Sequence, residues 1–435
     1  MANGTLHKPT FSELTRVSAK IGMLSFGGPA GQIALMHREL VDERRWVSEE
    51  EYLQALNLCN LLPGPEAQQL ATWIGWKHHG WRGGFVSGAL FVIPGALVML
   101  ALSMFYALAA NFDWFASLFL GIKASVLAII AQALLRMANR ALTTPLQKVL
   151  AVLAFAALFL FNAPFPLVVL TALAFGAIAG STRPNLLALK AMDTSAPAPA
   201  NLWAATLKAV LVWGVIWAAP MIAVLVFLGR DHVLWHIGTF FSQLAVVTFG
   251  GAYAVLAYMA QGAVTEFGWL NPGEMADGLG LAETTPGPLI MVTQFVGYLA
   301  AYRAPAPFTP LVAGMLGAIL TTWVTFSPCF LWIFALAPWM DRLQRSPALK
   351  GGLAAVTAAV VGVIANLALW FALHVLFTRV ELLKAGPLHL QRPELANFDY
   401  STAAIAAIAL VLTFKLKWGV IRTLGVTAAL GLMLG

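Results

Sequence analysis

Long apolar stretches, with few charges or none, recur along most of the chain. A bilayer-spanning α-helix needs about 20 predominantly apolar residues, and five stretches reach that length. They are 83–110, 114–135, 203–228, 308–340 and 351–378. Shorter apolar runs predict further spans joined by tight turns, at 149–162, 164–180, 400–414 and 418–435. The pattern therefore predicts an all-α polytopic membrane protein.

Two other apolar segments near the N-terminus are interrupted by helix breakers. Segment 15–36 contains Phe-Gly-Gly-Pro at 26–29, and segment 53–76 contains Pro-Gly-Pro at 63–65. Proline removes a backbone donor and collides with the preceding turn of a helix. We interpret both segments as re-entrant hairpins of two half-helices. The alternative is that each segment crosses the membrane as a kinked helix.

The same breakers return in the second half of the chain. Phe-Gly-Gly at 26–28 matches 249–251, and Pro-Gly-Pro at 63–65 matches 286–288, each pair 223 positions apart. A Met, a Trp and a Glu between the breakers repeat at the same interval. Matched breaks in two halves of a membrane protein are the best pointer in a sequence to a transporter's substrate site.

The repeat divides the chain into four parts. Residues 1–180 form the first copy and residues 229–435 the second copy. Between them, 181–202 is rich in Pro, Ala and Ser and is interpreted as a cytoplasmic linker, while 203–228 is one linking transmembrane helix. An odd number of plain crossings separates the matched breaks. The two copies are therefore predicted to be inverted repeats with broken or re-entrant helices.

Basic residues set the predicted orientation. Most of the 26 Lys and Arg residues fall on the side of the N-terminus under either interpretation of the broken segments, and more do so if these are hairpins. The N-terminus and residues 37–51 are then cytoplasmic, and the C-terminus is periplasmic. Loop 260–276 and the basic residues of 379–392 lie on the periplasmic side.

Composition narrows the class further. Hydrophobic residues make up 60% of the chain, charged residues 10%, and the mean hydropathy is +0.79, whereas a soluble domain has about 25% charged residues. Cys59 and Cys329 are the only cysteines, which argues against a disulfide framework or a cysteine metal site. The net charge of +7 is assigned to basic cytoplasmic loops rather than to nucleic-acid binding. Residues 1–20 lack the apolar core of a cleavable signal peptide.

The breaks are the candidate substrate site. Free amides at half-helix N-termini attract anions, and glycine lets a ligand approach the backbone. Unwound carbonyls could equally bind a cation, and the breaks could instead serve only helix packing. The candidate substrate-binding residues are Ser25, Phe26, Gly27, Gly28, Pro63, Gly64, Pro65, Lys123, Phe249, Gly250, Gly251, Thr284, Thr285, Pro286, Gly287 and Pro288.

Three charged residues near or within the apolar segments have two interpretations each. Lys123 is an intramembrane cation and so a candidate for anion binding; the alternative is a side chain that snorkels to the interface. Glu66 and Glu283 flank the two Pro-Gly-Pro triplets and are candidate coupling or gating groups. For Glu66 the alternative is a solvated residue in a first helical turn. No pattern of a catalytic, cofactor-binding or metal-binding motif is visible.

Segments 25–65 (SFGGPAGQIALMHRELVDERRW…NLLPGP) and 247–288 (VTFGGAYAVLAYM…ETTPGP) resemble the signature of the chromate ion transporter (CHR) family, in its long two-domain type. The resemblance covers nearly the whole chain. It implies a multi-pass protein of the bacterial inner membrane that exports chromate and confers chromate resistance. Two departures are local: FGGP becomes FGGA in the second copy, and Leu289 stands where the first copy has Glu66.

Several alternatives stay open beside that resemblance. Sulfate is a similar tetrahedral dianion, so a sulfate or other oxyanion carrier is one alternative. A non-transporting membrane scaffold or sensor is another, although a scaffold has little reason to interrupt apolar segments twice. Transport could be driven by the membrane potential or by proton coupling. Membrane lipids are expected partners, nucleic acid is not, and a homo-oligomer is compatible with the chain.

Overall fold

The computed structural model describes residues 6–26, 28–109, 112–187, 202–249 and 252–434. Gly27, Gly250, Gly251 and most of the predicted linker lie outside the described residues. The first copy contains α1 (Phe11–Leu24), α2 (Gly28–His37), α3 (Glu49–Leu61), α4 (Glu66–Ala109), α5 (Asp113–Ala141), α6 (Pro145–Phe161) and α7 (Phe165–Thr182). The next helix, α8 (Leu202–Phe227), occupies the predicted linking span.

The second copy follows the same order. It contains α9 (Val233–Val247), α10 (Ala252–Ala260), α11 (Pro272–Thr284), α12 (Val292–Arg303), α13 (Pro310–Leu336), α14 (Met340–Arg345), α15 (Pro347–Leu376), α16 (Tyr400–Leu410) and α17 (Val420–Leu434). Every predicted plain span is helical. The described residues include six helices long and apolar enough to cross a membrane, and four shorter apolar ones, which confirms the all-α polytopic prediction.

Both broken segments of the first copy are hairpins. In the first, the backbone N–H of His7 donates to the carbonyl of Arg45 at 3.0 Å. The chain just before α1 therefore lies beside the turn that follows α2. In the second, Lys77 pairs with Glu51. This ion pair joins the end of the helical arm 66–78 to the start of α3. The two arms of each segment therefore fold back on each other as a hairpin, and the re-entrant position of these hairpins in the membrane stays a prediction.

Helix α4 is two helices rather than one. His79 and Gly80 have non-helical backbone angles, and Gly80 has a φ of +60°. The arms 66–78 and 81–109 turn back on each other, because a Cβ placed on Gly83 would lie 2.3 Å from the carbonyl oxygen of Gly75. The short arm completes the Pro-Gly-Pro hairpin, and the long arm is the predicted span 83–110.

Matched elements repeat with the 223-residue interval. Each copy has a π-helical turn, Arg38–Glu43 and Gln261–Glu266, and the next helices, α3 and α11, begin and end at matched positions. Each of these helices starts with a cap in which a side chain and a glutamate three residues later bond each other's backbone N–H. The pairs are Ser48 with Glu51 and Asn271 with Glu274. Such caps satisfy amides that a helix start leaves open.

Contacts group the chain into two compact units, each drawing helices from both copies. The first unit comprises Met1–Ser103, Met192–Ala252 and Thr285–Ser346. Helix α13 is central to it, since α8, α9 and α12 all pack on it. Trp213 of α8 stacks on Phe330 of α13 with 5.0 Å between ring centroids.

The second unit comprises Met104–Ala191, Tyr253–Thr284 and Pro347–Gly435. Helix α15 packs on α5, α6 and α7, and α5 also contacts α11, α16 and α17. A Cβ on either Gly176 or Gly351 would lie 2.3 Å from the carbonyl oxygen of the other. Small residues of this kind let membrane helices approach closely.

A two-stranded antiparallel sheet, β1 (Val380–Ala385) and β2 (Leu388–Pro393), lies between α15 and α16. The sequence predicts no strand there, and the matched connection of the first copy, between α5 and α6, is only three residues long. Polar side chains of the sheet line a cleft of the second unit with residues of other loops, among them Asn162, Gln261, Thr265, His389 and Gln391. The periplasmic position of loop 260–276 and of the basic residues in 379–392 stays a prediction.

Candidate functional site

The breaks of the two copies exchange backbone hydrogen bonds within the first unit. The N–H of Gly64 donates to the carbonyl of Thr248 at 2.8 Å, and the N–H of Gly287 donates to the carbonyl of Ser25 at 2.8 Å. Gly64 matches Gly287 and Ser25 matches Thr248 in the repeat. Each Pro-Gly-Pro triplet is thus tied to the residue that precedes the Phe-Gly-Gly of the other copy.

Helices α1 and α9 end in the same way, each just before a Phe-Gly-Gly. The Ser25 hydroxyl donates to the carbonyl of Ile21 at 2.6 Å, and the Thr248 hydroxyl donates to the matched carbonyl of Leu244 at 2.5 Å. Ser25 and Thr248 are fully buried, at 0% and 1% exposure. A small hydroxyl at this position satisfies the last turn of the helix and leaves the main-chain carbonyl free to accept from the other break.

Glycine is required at the centre of both Pro-Gly-Pro triplets. Gly64 has a φ of +115° and Gly287 a φ of +90°, a region that residues with a Cβ rarely adopt. Around Gly64 the space is also full: a Cβ would lie 2.8 Å from Cys329 Sγ and 2.9 Å from Gln69 Nε2. Both triplets are buried, so the helix starts that follow them lie inside the protein.

Polar atoms without hydrogen-bond partners surround the first triplet. Gln69 Nε2 donates to the carbonyl of Pro63 at 2.6 Å, but Gln69 Oε1 has no partner among the described residues, and neither does Thr325 Oγ1. Gln68 is buried at 0% exposure, and neither the oxygen nor the nitrogen of its side-chain amide has a hydrogen-bond partner among the described residues. Buried polar groups are nearly always paired in folded proteins, so this cluster in the first turns of α4 suits a polar ligand.

The structure places the other predicted site residues in various ways. Phe26 is partly exposed at 37%, and Gly28, with a φ of +70°, begins α2. Thr285 is buried, whereas Thr284 ends α11 with its hydroxyl bonded to the carbonyl of Leu281 at 2.8 Å. Phe249 follows α9 with the same local backbone bond as Phe26. Gly27, Gly250 and Gly251 lie outside the described residues.

Glu66 is the first residue of α4, and Glu283 lies in the last turn of α11 with 7% exposure. Glu66 belongs to the first unit and Glu283 to the second. Lys208 is exposed on α8. Lys123 is 30% exposed and belongs to the second unit.

Asp277 is a buried carboxylate that the sequence reasoning missed. It lies in α11 at 2% exposure, with Lys123 Nζ 3.5 Å from its Oδ2. The Tyr106 hydroxyl donates to the same oxygen at 2.6 Å. An acid inside an otherwise apolar half-helix was a usable signal. Attention to the residues flanking the triplets selected Glu66 and Glu283 instead.

A charged group closes the open end of the first hairpin. Glu39 is 2% exposed and accepts from Lys20 at 2.7 Å and from Arg44 at 2.5 Å. Burial alone would raise the pKa of Glu39, but the two cations outweigh it and hold that pKa below its usual value. At His37, burial likewise disfavours the charge, but the carboxylates of Glu49 and Asp42 raise the pKa of the ring above its usual value.

Within the described part of the chain, no group of three or more His, Cys, Asp or Glu residues could hold a metal ion. The arrangement is instead one of apolar helices, paired breaks tied to each other, and buried amides beside a helix start. Paired breaks in apolar helices are a construction typical of membrane transporters.

Sequence comparisons name the family. The chromate transporter family model matches residues 12–180 and 235–432, one block in each copy, and the chain belongs to this family. It is 30% identical over 413 residues to a probable chromate transport protein of Synechococcus elongatus, covering 94% of this chain and 91% of that one. No solved structure matches the chain.

Two further relatives have similar names. A chromate transport protein of Cupriavidus metallidurans is 30% identical over 375 residues, covering 83% of this chain and 84% of the relative. One of Pseudomonas aeruginosa is 30% identical over 351 residues, covering 79% and 77%. The match extends over most of each protein. It is a multi-pass membrane protein of the chromate transporter family.

Proposed function

We propose that the protein exports chromate from the bacterial cytoplasm across the inner membrane and so confers chromate resistance. The reciprocal bonds between Gly64 and Thr248 and between Gly287 and Ser25 are the observation that carries the proposal. They gather breaks from both copies in one buried place, with the helix start of α4 and the unbonded amide of Gln68 beside them. Amides of this kind can replace the hydration of an oxyanion.

The membrane potential supplies enough free energy for export. Moving one charge through 100 mV is worth about 2.3 kcal/mol, so a dianion that leaves a negative-inside cell gains roughly 4.6 kcal/mol. That corresponds to a gradient on the order of a thousandfold. Export of this kind needs no nucleotide, which agrees with the lack of a nucleotide-binding motif in the sequence. Proton coupling at a buried carboxyl would alter the number of charges moved.

Chromate flux in everted membrane vesicles tests the proposal. Vesicles with the protein should accumulate labelled chromate when the interior is made positive, and vesicles without it should not. Excess sulfate as competitor measures the selectivity between two tetrahedral dianions. A protein that moves sulfate but no chromate would be an oxyanion carrier of another specificity, and a protein that moves neither would not be the proposed exporter.

The variant Gln68→Leu tests the position of the site. Leucine has a similar size and removes two buried atoms that have no partner, so the free energy of unfolding should be unchanged or higher. If the amide nitrogen donates to the anion, transport should fall by roughly 10- to 100-fold, the value of a hydrogen bond to a charged group.

The matched control is Gln147→Leu in the second unit. Gln147 is also buried, but its side-chain oxygen accepts from the backbone N–H groups of Thr143 and Thr144, both at 2.9 Å, at the start of α6. This control should lose stability and keep its transport rate per folded molecule. Normal transport by Gln68→Leu would place the anion elsewhere.

A further inference from the structure

Tyr106, Lys123 and Asp277 form a polar cluster inside the second unit. Helix α11 lies close against α5, because a Cβ on Gly280 would lie 2.1 Å from Ile122 Cγ2 and one on Gly273 would lie 3.1 Å from Lys123 Nζ. The two glycines are seven residues apart and therefore share a face of α11. Their lack of side chains lets the Lys123 ammonium reach Asp277.

The carboxylate of Asp277 is only half satisfied. Its Oδ2 accepts from Tyr106 at 2.6 Å and lies 3.5 Å from Lys123 Nζ. Its Oδ1 is buried and has no hydrogen-bond partner among the described residues. A buried charge is costly unless it is paired and fully hydrogen-bonded. A proton on the unbonded oxygen would remove that charge, and it would also remove the attraction that holds Lys123.

Lys123 is free enough to change partner. Its side chain keeps 30% exposure, whereas that of Asp277 has 3%, and an ion pair 3.5 Å long is a loose one. An ammonium with one buried carboxylate on one side and accessible space on another can bind an anion when the carboxylate is neutral.

Other charged groups stand on α11 and on the helices packed against it. Glu274 lies one turn earlier on α11 and Glu283 in its last turn, and α5 carries Asp113, Arg136 and Arg140 besides Lys123. Among the helices packed on α11, α15 has Lys350 and His374 in its first and last turns and α17 has Arg422 in its first turn. The Tyr106 ring lies among apolar rings, 5.3 Å from Phe115 and 5.2 Å from Phe119 between centroids.

We propose that Asp277 is the proton-accepting carboxyl of the transporter, and that Lys123 forms a second anion site, within the second unit, at which an oxyanion and the proton on Asp277 bind together. The inference rests on the proposed function and adds its coupling ion. The anion takes the place of the carboxylate at the Lys123 ammonium, and the displaced Asp277 takes up a proton from solvent. Release of the anion reverses both steps, and the charge moved per dianion falls from two to one.

Thermodynamic linkage makes the two bindings reciprocal. If a proton on Asp277 strengthens anion binding, the anion must strengthen proton binding by the same factor. Anion affinity of the wild type should therefore fall as pH rises, by up to about tenfold per pH unit once Asp277 is ionised in the free protein. A merely structural ion pair between α5 and α11 would give no such slope.

Proton uptake on anion binding is the direct test. Purified protein in weakly buffered detergent solution with a pH indicator is mixed with chromate at mildly alkaline pH, where chromate is a dianion. The wild type should take up about one proton per bound anion. Asp277→Asn should bind chromate with no proton uptake and with an affinity that no longer depends on pH. Lys123→Gln should bind roughly tenfold more weakly or worse.

Glu274→Gln is the matched control, since it removes a carboxyl of the same helix that caps the start of α11 at the backbone N–H of Asn271, and it should keep the proton uptake. Equal proton uptake by Asp277→Asn and wild type would overturn the inference, and so would a flat pH dependence in the wild type. Either result would leave chromate flux in vesicles untouched. Absence of that flux in the wild type is the separate result that contradicts the proposed function.

Discussion

The π-helical turns of the two copies have the same backbone and opposite chemistry. In both, the backbone N–H of a tryptophan donates to a backbone carbonyl of the turn at 2.8 Å. Trp46 donates to Leu40, and Trp269 donates to Ala263. In both, the residue before the tryptophan is left-handed, with a φ of +53° at Arg45 and +61° at Gly268. The side chains differ completely. The first turn buries Glu39 against two cations, whereas Gly262 occupies the matched position in the second.

This difference separates what the fold requires from what each copy does. The turn geometry depends on backbone bonds that repeat, so it persists without the charges. The charges of the first copy are then available for a local task, which is to close the open end of its hairpin and to set the predicted cytoplasmic side by the positive-inside rule.

The half-helices α3 and α11 show the same separation. Gln54 of α3 is partly exposed, and its backbone carbonyl accepts from Gln344 at 2.7 Å. The matched residue in α11 is Asp277, buried with Lys123 and Tyr106. Equal backbones with unequal charges indicate that the two copies do not contribute equally to transport.

The largest expected effect comes from alanine at the two Pro-Gly-Pro glycines. Gly64→Ala should lower the free energy of unfolding by about 1–3 kcal/mol from the left-handed backbone alone, and further because of the contacts with Cys329 and Gln69. Gly287→Ala should cost less, because its closest neighbour would be Gly95 Cα at 3.3 Å.

Thermal unfolding in detergent measures both variants against Gly214→Ala, since a Cβ on Gly214 of α8 meets nothing within 4 Å. That control should be neutral or slightly stabilised. Because a new Cβ meets the protein itself, lost transport in Gly64→Ala would report the fold rather than a ligand. Equal stability of Gly64→Ala and the control would contradict the tight packing around this break.

A middle-sized effect is expected from Glu39→Gln. The variant replaces a buried carboxylate that holds Lys20 and Arg44, so it should lose about 1.5–3 kcal/mol, the range for hydrogen bonds to charged groups. Because the folded pKa of Glu39 is depressed, its contribution is present above the unfolded pKa and lost as pH falls through the folded one.

The exposed neighbour Glu43 provides the comparison for Glu39→Gln. Glu43→Gln should cost less than about 1 kcal/mol, as for surface ion pairs. Melting temperatures of the two variants at neutral and at acidic pH decide the matter. If both variants melt together at neutral pH, Glu39 is not the anchor of this turn.

The smallest effect should come from His37, which the second copy replaces with Ala260. The raised pKa of His37 means that its contribution is full below the unfolded value, about 6.5, and is lost as pH rises through the folded value. His37→Gln should therefore destabilise by a few tenths to 1 kcal/mol in mildly acidic solution. The melting temperatures of variant and wild type should converge at alkaline pH, and a gap that grows with pH would contradict this sign.

Apolar runs and breakers were enough to predict most of the helices. Runs such as 203–228 and 351–378 became α8 and α15, because a long apolar segment in a membrane must satisfy its backbone groups internally, which a helix does. Pro and Gly at 63–65 marked a break correctly, since both residues act on their own backbone.

Long-range pairing could not be predicted in the same way. Tyr106 and Asp277 are far apart in the chain, and only the packing of α11 on α5 shows that Lys123 joins them. The reversal at His79 and Gly80 falls between the predicted segments 53–76 and 83–110, so its place could be predicted from the end of one apolar run and the start of the next. Apolar and polar residues alternate too little along 380–393 for the sequence to distinguish these strands from a loop.

The reciprocal bonds at the breaks also bear on how such a chain can be inherited. Each copy has one backbone N–H donor, at its Pro-Gly-Pro glycine, and one backbone carbonyl acceptor, at the residue before its Phe-Gly-Gly. In this structure both groups bond to the other copy. Two copies are therefore needed to form both hydrogen bonds, whether they belong to one polypeptide or to two. Fusion into one chain keeps this exchange between fixed partners. Each half then depends on the other at these four residues as well as in the packing of helices from both halves within each unit.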